Sequence, residues 1–322
     1  MKAIGHNDFG GPGVLQVVNL PDPVPGTGEV RITVKAAAIS PTDTLRRAGI
    51  RALDGKPADE LRTQEKPLVP GMEVAGVLEE IGPGTATDLR VGEHVMGVVF
   101  PKGTHGAYSE QIVLPVESVV RTPAGVDDVA ASTLLMNGLT AQASLDELDL
   151  QPGQRLGVTG AAGTLGGYVV QLAKVRGLRV IADASPADKA LVASLGADVV
   201  VERGDGVVDR FLAAAPGGVD GLADCAVLNE KIVGAVRPGG RLVTVRHYEG
   251  PAVDGVTFRA VRVRYHLRDT RRLDELRRLA EDGKLTLRVA GTYPAAQAPE
   301  AHRQLERGGT RGRLVLTFGD AP

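Results

Sequence analysis

Two textures of apolar and polar positions divide the chain. Over the first ~120 residues, strand-like runs such as Val30-Arg31-Ile32-Thr33-Val34-Lys35-Ala36-Ala37-Ala38-Ile39 alternate with proline and glycine punctuation, which predicts an all-β segment. The punctuation includes Pro21-Asp22-Pro23-Val24-Pro25-Gly26 and Ile81-Gly82-Pro83-Gly84. From about residue 126, helical and strand patterns alternate, the mark of a parallel sheet with helices on both faces. The strand candidates are 155–159, 178–182, 198–201, 221–223 and 241–245, with helices including 166–176 and 187–195 between them. Right-handed crossovers would join these strands. After residue 245 the texture reverts: an amphipathic helix is predicted over 267–283, with Leu273, Leu276, Leu279 and Ala280 on one face, then a final strand over 312–318. The segment 48–66 carries few large apolar residues and reads as an exposed loop.

Candidate chemistry enters through the second texture. The strand candidate ending at Thr159 runs into Gly160-Ala161-Ala162-Gly163-Thr164-Leu165-Gly166, three glycines at three-residue spacing. A helical pattern follows, then the apolar run Val180-Ile181-Ala182 ending at Asp183. This is the order of a dinucleotide-binding βαβ unit, with an acid roughly 20 residues beyond the glycines. Glycine allows the tight turn and lets backbone N–H groups approach a pyrophosphate, which sits at a helix N-terminus where the dipole favours an anion.

Composition narrows the partners. With 322 residues and a formal net charge of -2, the chain suggests two soluble domains and gives no electrostatic reason to expect nucleic acid or an anionic membrane. No apolar run approaches the ~18–20 residues of a membrane span, and the N-terminus has no signal-peptide core. The single Cys225 excludes an intrachain disulfide and a Cys-based structural zinc site, and suits a reducing cytoplasm, the expected location. The six histidines are scattered without helical ligand spacing.

Several motifs together carry a family resemblance: Met1-Lys2-Ala3-Ile4, Phe9-Gly10-Gly11-Pro12, Leu20-Pro21-Asp22-Pro23, Val69-Pro70-Gly71-Met72-Glu73-Val74-Ala75-Gly76-Val77-Leu78, Val91-Gly92-Glu93-His94-Val95, Asn137-Gly138-Leu139-Thr140-Ala141 and Val236-Arg237-Pro238-Gly239-Gly240-Arg241-Leu242-Val243. With them the chain resembles, almost end to end, the zinc-independent branch of the medium-chain dehydrogenase/reductase family, particularly its quinone oxidoreductase-like members. The resemblance implies an α/β fold in which a Rossmann doubly wound parallel sheet (125–255) is inserted in a GroES-like β domain built from 1–124 and 256–322. It implies a homodimer that transfers hydride from NADPH to a quinone or another conjugated carbonyl acceptor. Zinc-dependent relatives carry Cys where this chain has Ser40 and His where it has Met72; neither residue here is a good zinc ligand, so no zinc is expected.

The same resemblance supplies site candidates. Ser40, Thr42 and Asp43 follow the 30–39 strand, where the family places residues facing the substrate; Ser40, Asp43 and Asn137 are the catalytic candidates. Asp43 reads equally well as the cap of a helix starting at Thr44, and a helix N-terminal role explains Asn137 and Thr140 almost as well as a nicotinamide contact. Thr140, Gly160, Ala162, Gly163, Thr164, Leu165, Gly166, Ala226 and Val245 are the expected cofactor contacts. Asp183 is in conflict with its surroundings. At the end of the second strand a carboxylate favours the ribose of NADH, whereas Ser185, Lys189 and Arg203 resemble donors to the 2′-phosphate of NADPH. The family favours NADPH, and NADH stays open.

Two other functions remain. One is an enoyl or alkenal double-bond reductase, although the tyrosine that enoyl-thioester reductases of this family carry has no counterpart over 45–68. The other is a non-catalytic nucleotide or RNA binder using the arginines of 259–278, which the nearby Asp269, Asp274, Glu275, Glu281 and Asp282 answer as a solvated helix face. Tyr248 and Tyr265 read as packing residues, His247 as a residue lining the nicotinamide end, and Cys225 as a small apolar filler close enough to the cofactor for alkylation to matter.

Overall fold

The computed structural model describes residues 1–50, 59–246, 248, 250, 251, 253 and 255–319. Contacts divide the chain into two compact units: Met1–Met136 with Arg264–Glu281 and Leu287–Pro322, and Asn137–Val263 with Asp282–Thr286.

In the first unit, β1 (Lys2–Gly5) and β2 (Gln16–Asn19) form an antiparallel pair. The main sheet is built from β3 (Glu29–Ala38), β4 (Glu73–Ile81), β5 (His94–Val98), β6 (Gln111–Pro115), β7 (Val119–Arg121), β14 (Val289–Pro294) and β15 (Arg313–Thr317). Its order is β14-β15-β3-β4-β5-β7, with β6 on β3. Along β3, Val30, Ile32 and Val34 are buried while Arg31, Thr33 and Lys35 stay more exposed, the period-two pattern of a sheet with one core face. Their core includes Leu78, Val95, Ile112, Leu114 and Leu316, so the C-terminal strand completes a sheet begun near the N-terminus.

Two short helices, α1 (Pro41–Arg47) and α2 (Asp59–Arg62), interrupt the all-β texture expected of the first ~120 residues. Three more complete this unit: α3 (Asp128–Ala131), α8 (Thr270–Glu281), which is the helix expected over 267–283, and α9 (Ala298–Arg307). The first begins at Pro41, three residues before the expected start, because proline suits the first helical position and Ser40 caps it. The expected loop 48–66 is corrected in part: Asp59–Arg62 are helical and Leu61 is fully buried, clustering with Leu68 and Phe9, while 51–58 lie outside the described residues. On α8, Leu273 and Leu276 are buried as expected. The arginines opposite are answered by acids: Arg272 by Asp269 at 3.2 Å, and Arg277 by Asp274 at 2.7 Å and Glu281 at 2.6 Å. Asp274 also pairs with Arg278 at 2.7 Å.

The second unit holds α4 (Leu135–Leu148) from Asn137 onward, α5 (Thr164–Val175), α6 (Lys189–Ser194), α7 (Val207–Ala214) and a sheet of β8 (Arg155–Thr159), β9 (Arg179–Ala184), β10 (Val199–Glu202), β11 (Val219–Asp224), β12 (Val236–Thr244) and β13 (Thr257–Ala260). Every neighbouring pair is parallel, in the order β10-β9-β8-β11-β12-β13. This is the doubly wound order of a Rossmann sheet, whose direction of winding reverses between β8 and β11. Ligands of such sheets bind at the carboxyl ends of the strands beside that reversal. Among the described residues, no helix is long and apolar enough to cross a membrane.

Candidate functional site

The carboxyl end of β8 meets that requirement residue by residue. Gly160 adopts φ +64°, a conformation that disfavours a side chain, and a Cβ there would lie 3.1 Å from the Cys225 carbonyl. Two turns of chain later, a Cβ on Gly166 would lie 2.4 Å from the Gly160 carbonyl oxygen, so only glycine lets α5 seat against the turn. Gly163, which has no side chain to cap with, is the N-cap of α5. The twelve-residue helix thus presents its N-terminus at the reversal point with the glycine turn folded over it. Thr164 and Leu165 open the helix, and Ala162 precedes it, all half-buried. These residues fit a dinucleotide pyrophosphate.

Asp183 sits on β9 with its carboxylate turned to this turn: Oδ1 accepts the Gly160 N–H at 2.6 Å. Burial pushes its pKa up, while the Gly160 and Ala161 N–H groups and the Arg203 charge oppose that shift. Ser185 is engaged as well, donating its hydroxyl to Asp188 at 2.5 Å. Its expected role as a phosphate donor therefore competes with the Asp188 carboxylate, to which its hydroxyl already donates. Lys189 and Arg203 are exposed, and neither has a side-chain hydrogen bond or ion pair among the described residues. Ala226, exposed just past β11, donates its N–H to Thr159 Oγ1 and Asp224 Oδ1, both at 3.2 Å. Val245 follows β12 and is half-buried. Asn137 and Thr140 are half-buried on the first turns of α4. His247 lies outside the described residues.

Sequence reasoning missed Asp224. It is buried, accepts the Thr159 hydroxyl at 2.6 Å and the Asn229 N–H at 2.7 Å, and so ties β8 to the loop after β11. That loop holds Val227 and Asn229 at positive φ, +59° and +55°, which for a β-branched residue is strained. An acid directly after the apolar strand 221–223 was the available signal. Cys225, read as a small filler near the cofactor, is a half-buried free cysteine; desolvation, with the Asp224 and Asp183 charges, pushes its pKa far up and disfavours the thiolate that alkylation needs.

In the other unit, Ser40 is the N-cap of α1 and Asp43 is fully buried. Asp43 Oδ2 accepts the Ser40 N–H at 2.8 Å, and Oδ1 accepts the Gly71 N–H at 3.1 Å. The carboxylate therefore does cap, but from the third helical position with Ser40 ahead of it, and not for a helix starting at Thr44. Enclosed in this way, Asp43 has no open face for direct contact with a substrate. Glu73, of the quoted Pro70-Gly71-Met72-Glu73 motif, is buried against Arg313 at 2.7 Å and accepts the Met136 N–H at 3.0 Å.

Comparison with known proteins fits this geometry. Residues 26–124 match the alcohol dehydrogenase GroES-like domain, and residues 195–316 match the zinc-binding dehydrogenase domain. A 2-haloacrylate reductase of Burkholderia is 31% identical, over 91% of this chain and 91% of its own length. The chain belongs to the medium-chain dehydrogenase/reductase family. Membership makes it an NAD(P)H-dependent oxidoreductase. A quinone oxidoreductase of Pseudomonas aeruginosa is 29% identical, over 98% of this chain and 99% of its own. The native structure of a mycobacterial protein complexed with NADPH superposes with a TM-score of 0.84 at 28% identity, covering 99% of this chain and all of that one.

Zinc, named in one of the matching domains, finds a poor donor set at the positions that bind it in zinc-dependent members. Ser40 Oγ accepts the Thr42 N–H at 3.4 Å, and Met72 offers a thioether, whereas zinc takes thiolate, imidazole or carboxylate.

Proposed function

We propose that this family member is a zinc-independent reductase that uses NADPH to reduce a quinone or another conjugated carbonyl. The observation that carries the cofactor choice is the Asp183 carboxylate, whose Oδ1 is held by the Gly160 N–H under the opposing charge of Arg203, while Lys189 and Arg203 make no side-chain hydrogen bond or ion pair among the described residues. A carboxylate ~4 Å from a 2′-phosphate would oppose it by about 4 kcal/mol per unit charge at an effective dielectric near 20. Turned to the glycine turn and offset by two cations, Asp183 loses most of that veto. Lys189 and Arg203 would hold the 2′-phosphate, and the N-terminus of α5 the pyrophosphate. The nicotinamide, when bound, supplies the hydride.

Ser40 and Met72 support zinc independence. With no metal to polarise the acceptor oxygen, developing negative charge must be met by hydrogen-bond donors of the chain or by water, and Ser40 and Asn137 are the candidates. Quinones suit this arrangement, since a phenolate-like oxygen is protonated by water without a positioned acid.

Steady-state oxidation of NADPH and of NADH with a panel of quinones tests the reading. Turnover with NADPH well above NADH supports it; no turnover above background with either cofactor sinks it. Arg203→Glu should reverse the preference by raising the NADPH KM and leaving the NADH KM alone. A second reading, reduction of a conjugated carbon–carbon bond, is favoured by similarity to the 2-haloacrylate reductase. Turnover of acrylates or alkenals with quinones inert selects it.

A further inference from the structure

A continuous buried chain of hydrogen bonds runs through the first unit and ends on two backbone N–H groups. It starts at the exposed Glu306 on α9, whose Oε1 accepts from Arg47 Nη2 at 2.6 Å. Arg47 Nε also donates to the Gly10 carbonyl at 3.1 Å, and Nη1 lies 3.2 Å from His302 Nδ1. A guanidinium has only donors, so Nδ1 must accept and the imidazole proton sits on Nε2. His302 Nε2 lies 3.1 Å from Tyr108 Oη and donates to it, which directs the tyrosine hydroxyl to Asp43 Oδ2 at 3.2 Å. Asp43 passes the chain to the Ser40 and Gly71 N–H groups. His302, Tyr108 and Asp43 are all fully buried, and each donor in the series has an acceptor.

A purely structural role would be served as well by packed apolar side chains, which often equal or exceed a buried polar group in stability. A satisfied polar network differs in fixing geometry. Here the fixed points are the N–H of Ser40 and the N–H of Gly71, beside Met72. We propose that Tyr108 and His302 are positioning residues for the reduction, acting through Asp43 to hold the Ser40 and Met72 segments in register. The inference rests on the proposed reading that these two segments face the acceptor. His302, on a helix more than 250 residues away in sequence, thereby sets the aim of Ser40.

The test compares Tyr108→Phe, His302→Leu and His302→Gln with the wild type, using NADPH and a quinone. Leu114→Ala, a core truncation elsewhere in the same unit, serves as a stability-matched control. Tyr108→Phe and His302→Leu should lower the quinone kcat about tenfold, the scale of a small misplacement of reacting groups, while the NADPH KM stays within about twofold. His302→Gln, whose amide can both accept and donate, should restore most of the loss. Amide hydrogen exchange read on peptides covering 38–44 and 69–73 should accelerate about tenfold in Tyr108→Phe and not along β6. Equal loss of kcat in Leu114→Ala at the same melting temperature overturns the proposal, as does unchanged exchange at Ser40 and Gly71. A wild type inactive with every acceptor would sink the proposed function instead, and the exchange measurement would still decide the positioning role.

Discussion

At the scale of single residues, the informative side chain is Asp183, because it serves a backbone turn and faces a charge conflict at once. Removing the acceptor and removing the charge are separable. Asp183→Asn keeps an oxygen for the Gly160 N–H and deletes the charge, so NADPH affinity should rise a few-fold with little change in melting temperature. Asp183→Ala leaves a partly buried N–H unpaired, at a cost of about 1–3 kcal/mol, and should lower the melting temperature while loosening the turn proposed to hold the pyrophosphate. Fluorescence titration with NADPH and thermal melts of both variants check this; equal melting temperatures would mean that Asp183 does not support the turn. Cys225 gives a second residue-scale expectation. With its thiol pushed far up by burial and two neighbouring carboxylates, iodoacetamide at neutral pH should label it far more slowly than free cysteine. Mass spectrometry of the intact protein follows the labelling, and rapid modification would mean that the thiolate is not disfavoured there.

At the scale of elements, α1 shows how a seven-residue helix is held by its first turn. Ser40 and Asp43 cap it reciprocally, and the same carboxylate reaches Gly71 and Tyr108. Ser40→Ala should cost about 1 kcal/mol, an ordinary cap loss softened by the long 3.4 Å bond it removes. Asp43→Ala leaves three buried donors without an acceptor and should cost about 3 kcal/mol or more, a ratio that denaturant melts of the two variants will read. Elements with strong local signals were legible in the sequence. The strand over 155–159 is β8 to the residue, and α5 and α8 begin within three residues of expectation, because apolar runs and helical periods are local properties. What escaped was tertiary. The strand β13 is four residues long and takes its place only by pairing with β12. Asp224 reads as a strand-end acid until Thr159 and Asn229 meet it, and His302 reads as one more scattered histidine until Arg47 and Tyr108 converge on it. The glycine turn was readable because glycine spacing records a backbone demand; the Asp43 network was not, because its members come from four separate stretches of chain.

At the scale of the whole molecule, these buried groups make stability depend on pH, and the sign can be worked out. Burial, with the Arg47 charge beside it, lowers the His302 pKa to about 3, and His6 is lowered too, chiefly by burial and by Lys66, Arg47 and Arg46. Both rings are neutral in the folded protein at neutral pH. Released by unfolding, each takes up a proton below about pH 6.5. Between about pH 3 and 6.5 the unfolded chain therefore binds more protons, so stability is complete above that window and is lost as the pH falls through it. For His302 the slope approaches ~1.4 kcal/mol per pH unit in mid-window. The buried carboxylates oppose this. Asp43, Glu73 and Asp183 are pushed up by desolvation, so the folded state holds their protons longer and stability falls as pH rises from the ordinary carboxylate range through their raised values. The bare profile of the wild type thus mixes two signs, and only a difference isolates the histidine. Between pH 7 and pH 4 the wild type should lose stability relative to His302→Gln, which accepts and donates like the neutral ring but takes up no proton on unfolding. Carboxylate contributions common to both proteins cancel in that difference. Denaturant melts at half-unit pH intervals measure it; two parallel profiles would mean that His302 is charged in the fold, and that Arg47 cannot then be its donor.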